Sequence, residues 1–245
     1  MKYTIISISY LPVGCKGTST RWIKDVMNIT GNKNNIKDAE EKTTKEKIFE
    51  AAINLFAQKG FDATSMREIA EVVGIKKASM YSHYKSKDEI LEKIVEHPLI
   101  RVMTIGQADV ETEELIVTMG VDGFMNLSGE TFTKWIEDPS MEKIFRIILI
   151  ELYHNPQVKK FYLELWGTAY TFWESNFNIM MRNELIKPYD PNVLAMEFIS
   201  FFQSAFTDYF LVGYGNTSGS FGQEYHERFV QHTEFIMNSI KRDEK

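Results

Sequence analysis

The sequence predicts an all-α protein in two parts: a small N-terminal helix-turn-helix domain of three helices, and a larger helical body behind it. From Thr43 onward, apolar residues recur at spacings of three and four, the period of helices buried along one face. Alternating β-signals are nearly absent outside Tyr3–Tyr10. Two short helical stretches meet at Val73-Gly74-Ile75-Lys76, a four-residue turn containing glycine, which is the helix-turn-helix plan.

The elements follow in order. Thr43 predicts an N-cap, and Glu46 three residues on completes a capping box. Ile48, Ala51, Ala52, Leu55 and Phe56 then form one apolar stripe, which Gly60 stops in the usual position past a helix end. Ser65 opens the second helix with Glu68 as its box partner; Ile69, Ala70 and Val73 face inward and Gly74 ends it. A third helix is expected over about Lys76–Tyr84, and a fourth from Ser86–Lys87 to His97, where Pro98, lacking an N–H, is expected to kink or end it. This places an extension or disordered segment at 1–42, the helix-turn-helix domain at 43–97 and the helical body at 98–245. Body helices are expected at Glu113–Asn126, Glu130–Glu137, Ser140–His154, Pro156–Ile186, Asn192–Tyr214 and Gln223–Lys241, with Gly213–Gly222 as a glycine- and serine-rich loop.

Composition narrows the function classes. At 245 residues, 44% hydrophobic and 25% charged, the chain is an ordinary globular one. Its only cysteine, Cys15, precludes an intrachain disulfide and fits a reducing compartment, so a cytoplasmic location is expected. Beyond residue 30 no apolar run reaches the ~18 residues a membrane span needs, so no membrane partner is expected. MKYTIISISYL makes a poor signal peptide, broken by Ser7, Ser9 and Tyr10; residues 1–26 are expected to be an upstream extension or a misassigned start before Met27. His83, His97, His154, His226 and His232 contain no pair at i, i+3 or i, i+4, so no metal is expected. No nucleophile elbow or phosphate-binding loop is present, so neither a cofactor nor enzyme chemistry is expected.

The net charge of −6 argues against bulk attraction to nucleic acid, but charge is segregated. Val72–Lys87 holds Lys76, Lys77, Lys85 and Lys87 and no acidic residue, a local +4 that leaves −10 on the remainder. Such a patch can displace counterions from phosphates. The small Ala78 and Ser79 would allow close approach to base edges.

The run Thr64–Leu91, TSMREIAEVVGIKKASMYSHYKSKDEIL, preceded by IFEAAINLFAQKGF, resembles the TetR family of bacterial repressors over about fifty residues, Thr44–Lys93. The resemblance implies double-stranded DNA as a partner. Position by position, it places Arg67 near a base or phosphate and a phosphate at the helix start of Ser65. Lys76 lies at the patch; Lys77, Ala78, Ser79 and Tyr81 lie on the groove-facing side; His83 and Lys87 lie at phosphate contacts. Met66 stands where many members carry a hydroxyl, Ala78 replaces a frequent glycine or proline, and Tyr84 replaces a common phenylalanine, which leaves the operator sequence open.

The resemblance also implies a ligand-binding and dimerisation role for the body, with the last two helices pairing in a homodimer that reads a palindromic operator. A small apolar or aromatic inducer would release it. The aromatic body suggests Trp135, Phe145, Leu149, Trp166, Tyr170, Trp173 and Phe202 as pocket lining, with Glu151, His154 and Glu174 as polar handles. Trp166, Tyr170 and Trp173 share one helix face at i, i+4 and i+7. A reading of another class, a helical small-molecule-binding protein or enzyme with a vestigial helix-turn-helix, is disfavoured by the lack of any catalytic constellation.

Overall fold

A computed structural model describes residues 42–105, 110–213 and 219–242, and the side chains among them except those of 99–105, 110 and 111. Contacts divide the chain into residues 1–39 and 40–245, and everything described lies in the second unit. The expectations for residues 1–41, including Tyr3–Tyr10, and for 214–218 of the glycine-rich loop lie outside the described residues.

Helix α1, Thr44–Lys59, starts at the predicted capping box: the Thr43 hydroxyl accepts from the Glu46 N–H, and the Glu46 carboxylate accepts from the Thr43 N–H at 2.8 Å. Gly60 ends it at φ 86°, a left-handed backbone that favours glycine. Helix α2, Met66–Val73, is capped the same way by Ser65 and Glu68, and Gly74 closes it at φ 78°, ψ 28°. Helix α3, Lys77–Met80, is shorter than the expected Lys76–Tyr84. The Ser82 hydroxyl takes the Ser79 carbonyl at 2.7 Å, and the chain leaves the helix in a turn whose His83 and Tyr84 amides both donate to the Met80 carbonyl. Ile48, Ala52, Phe56, Ile69, Ala70, Met80, Ile90 and Ile94 are buried together as one core.

Helix α4, Lys87–Ile105, does not end at Pro98, where a kink or an end is expected, but runs through it. Pro98 is buried, and packing of α4 against α1, α6 and α7 outweighs one missing backbone bond. The expected boundary at residues 97 and 98 therefore falls inside a continuous helix.

The body continues with α5 (Val110–Ile136), α6 (Pro139–Glu151), α7 (Pro156–Arg182), α8 (Pro191–Thr207), a π-helical turn at Asp208–Val212, and α9 (Phe221–Ile240). Residues 127 to 129, where a gap between two helices is expected, are helical; the break in α5 comes at Gly120, φ 69°, ψ 174°. Asp138, Asn155 and Asp190 cap α6, α7 and α8, each followed by proline as the first helical residue, where its missing N–H costs nothing. Among the described residues the only β-pairing is an isolated bridge between Ile186 and Lys241. No described helix is long and apolar enough to cross a membrane.

Candidate functional site

The two halves of the α2–α3 motif divide its residues between core and surface. Met80 is fully buried and Tyr84 is 4% exposed, so the back of α3 is anchored in the core. Burial pushes the Tyr84 hydroxyl above the usual phenol range, and the Lys45 ammonium stands 5.4 Å from its ring. On the front, Lys76, Lys77, Ala78 and Ser79 are exposed consecutively, and Tyr81 is half exposed. These five predicted residues therefore all lie at the surface, while Met80 and Tyr84 do not.

The remaining predicted positions differ. Arg67 is exposed, with its Nε donating to Glu71 Oε1 at 2.8 Å. The Ser65 backbone N–H donates to Glu68 Oε2 at 3.0 Å, so that amide is already engaged at the expected phosphate position. Lys59 and the Ser65 N–H hold the Glu68 carboxyl below its usual range. His83 is half-buried. The Lys87 ammonium turns inward: it donates to the carbonyls of Phe61 at 2.6 Å and Thr64 at 2.9 Å, and lies 4.0 Å over the Phe61 ring.

The expected pocket lining is distributed over several places. Phe145, Leu149 and Trp166 meet in a narrow cleft between α6, α7 and α8 that encloses about 10 Å³. Ile148, Tyr162, Leu165, Gln203 and Phe206 complete it, and Tyr170 borders it by donating its hydroxyl to Gln203 Oε1 at 3.0 Å. The Trp166 indole N–H is buried beside the Tyr162 hydroxyl but not aligned on it. Tyr162 was missed although it stands one turn before Trp166 on the same face; Gln203 and Phe206 come from a helix whose register only the fold supplies.

Phe202 lines a second narrow cleft, enclosing about 10 Å³, with Phe132, Phe201, Phe221, Tyr225 and Phe229, between α5, α8 and α9. Trp135 packs edge-on against Phe132 and Phe145, and Trp173 sits 4.3 Å from Phe198 within the core. Of the proposed handles, His154 is exposed and Glu174 is half-buried. Glu151 is 7% exposed and binds no cleft: its Oε1 accepts the Phe61 N–H at 3.0 Å. Arg146, which sequence reasoning passed over, donates to the Ala57 carbonyl at 3.0 Å and to the Phe210 carbonyl at 2.9 Å. The available signal was a single cation inside the apolar run IFRIILI.

Comparison with known proteins agrees with the motif. The profile of the family described as bacterial regulatory proteins, tetR family, matches residues 48–94. A 53-residue stretch is 51% identical to the HTH-type negative transcriptional regulator IcaR of the biofilm operon icaADBC from Staphylococcus epidermidis. That alignment covers 22% of this chain and 29% of the relative, so the match spans less than a third of that protein's length. Among solved structures, a TetR transcription regulator from Haloarcula marismortui aligns over 81% of this chain and 98% of its own, with TM-score 0.61 and 14% identity. A SmeT–triclosan complex aligns over 82% and 93%, with TM-score 0.61 and 16% identity. At those identities the two structures speak for the shared fold.

Proposed function

We propose that residues 48–94, which match the tetR-family profile, are the DNA-binding domain of a transcriptional regulator of that family, and that the chain is a ligand-responsive repressor binding a palindromic operator as a homodimer. The observation that carries this reading is the α2–α3 face: Lys76 to Ser79 and Tyr81 outward, Met80 and Tyr84 locked inward. A helix presented this way enters the major groove, with its small residues close to base edges and its lysines among the phosphates. Repression is supported by the 51% identity of this domain with a protein named as a negative regulator.

Homodimer formation through α8 and α9 is supported by apolar side chains left on their outer faces. Phe235 is 72% exposed and Met196 52%, with Val193 beside Met196's turn and small Ser200 and Ser204 along the same stripe. Pairing these helices would place two α3 helices to read half-sites one helical turn apart, about 34–36 Å. The ligand is assigned to the α6–α7–α8 cleft. Its lining holds no ionised side chain and offers the Trp166 N–H and Gln203 amide as polar contacts, which suits an uncharged aromatic molecule once the lining rings part, since closed it encloses only about 10 Å³. A ligand changes operator affinity only if it binds one arrangement better than the other.

Selection of duplexes from a random library by the purified full-length chain tests the reading. The expected product is a palindrome bound by two protomers, with stoichiometry read by sedimentation. Recovery of no preferred duplex, together with turnover of an aromatic substrate, would instead favour an enzyme with a vestigial helix-turn-helix.

A further inference from the structure

Three side chains of α6 reach the DNA-binding domain from one side of the helix. Lys143 Nζ donates to Asn54 Oδ1 at 2.6 Å, Arg146 Nε to the Ala57 carbonyl at 3.0 Å, and Glu151 Oε1 accepts the Phe61 N–H at 3.0 Å. At ~100° per residue, these positions point opposite to Phe145, Ile148 and Leu149, which line the cleft. One helix thus carries the cleft wall on one face and the grip on α1 on the other.

Arg146 does more than grip. Ala57 lies in the last turn of α1, and Phe210 lies in the π-turn that ends α8. Carbonyls at helix C-termini lack intrahelical donors and carry the negative end of the helix dipole. A single guanidinium serves both ends, with Nε to one carbonyl and Nη1 to the other at 2.9 Å. The planar fork allows this; a lysine ammonium would have to choose. The Phe210 ring, in turn, stacks at 5.8 Å on Phe145 and 5.4 Å on Phe221, and meets Phe206 at 5.2 Å. Phe145 and Phe206 are cleft-lining residues.

We propose that Arg146 and Glu151 are positioning residues for DNA binding: together they fix the Ala57–Phe61 edge of the DNA-binding domain to α6, and Arg146 ties that edge to the end of α8. Displacement of Phe145 or Phe206 by a cleft occupant then moves the Phe210 carbonyl and, through one guanidinium, the seat of α1. This rests on the DNA-binding reading above.

The test uses the full-length chain and the duplex selected by wild type, with affinity measured over a range of salt and at a temperature where circular dichroism shows each variant equally folded. Arg146→Lys keeps the charge and loses the double cap; its affinity is expected to fall about fivefold or more with an unchanged salt slope. Glu151→Leu should fall similarly and speed exchange of the Phe61 amide about tenfold, while Glu151→Gln, which keeps an acceptor, stays within about twofold on both readouts. Arg182→Lys, altering an exposed pair with Glu113, should match wild type. Wild-type affinity in Arg146→Lys overturns the proposal, as does a salt slope reduced by about one unit in the charge-removing Arg146→Gln, which would make Arg146 a phosphate contact. A wild type that selects no duplex removes the DNA-binding reading itself, an outcome separate from a variant indistinguishable from a wild type that binds.

Discussion

The Lys87 ammonium lies 4.0 Å over the Phe61 ring and 2.6 Å from the Phe61 carbonyl oxygen, so the first residue of α4 holds the connection between α1 and α2. A lysine at the foot of the cationic patch is engaged by its own domain. Lys87→Ala is therefore expected to act first on stability, costing about 1–2 kcal/mol for two carbonyls losing a charged donor, measured by urea denaturation. Loss of operator affinity in this variant with full stability retained would return Lys87 to the phosphate contacts.

Two glycines in helices predict opposite signs. A Cβ at Gly129 would stand 2.8 Å from Phe229 Cε1, and that ring is held at 5.0 Å from Phe202, so Gly129→Ala is expected to destabilise by about 1–3 kcal/mol. Gly167 has nothing within 4 Å of its missing Cβ, and Gly167→Ala should stabilise by up to about 1 kcal/mol through helix propensity. Thermal denaturation of the two variants against wild type decides both.

His232 predicts a pH response. Burial holds its imidazole below the ordinary 6.5, opposed by the Phe198 carbonyl 3.2 Å away and by Glu197; the ring stacks on Phe201 at 4.7 Å. Because the folded state binds a proton less readily than the unfolded chain, this residue's contribution is present above the unfolded value and is lost as pH falls towards the folded one. Melting temperature should thus drop between about pH 7.5 and 5.5 by more in wild type than in His232→Phe. Parallel curves for the two proteins would contradict this.

Glu68 predicts a second acid response, at lower pH. Its carboxyl is held below the usual range by Lys59 first and then by the Ser65 N–H, so its support of the α2 start is present above the ordinary carboxylate value and fades as pH falls through the lowered one. Glu68→Gln should remove that dependence while leaving α2 capped by Ser65, as read from amide exchange at Glu68 and Ile69 across the acid range.

What the sequence disclosed was local. Thr43 with Glu46 and Ser65 with Glu68 are pairs three residues apart, and both capping boxes form where their spacing predicted. The exposed run Lys76–Ser79 was legible because its anchors, Met80 and Tyr84, lie on the same short segment. Lys87 was not, since its acceptors lie 26 and 23 residues upstream, nor was Glu151, whose partner is 90 residues away. The expected helix end at Pro98 does not occur, because burial against neighbouring helices outweighs a local rule. In the body, Trp166 and Trp173 share a stripe, yet one meets Phe206 at 5.6 Å beside the cleft and the other meets Phe198 in the core. Periodicity assigns a face to each ring, while the neighbouring helices decide what that face meets.

The central claim is that the α2–α3 face binds DNA, and the salt dependence of affinity for the selected duplex tests it most directly. Lys77→Ala is expected to weaken binding and reduce the slope of log affinity against log salt by about 0.9, one phosphate's worth of counterions; Tyr81→Ala should weaken binding to the selected sequence with the slope unchanged. Wild-type affinity and slope in both variants would contradict the assignment of this face to DNA.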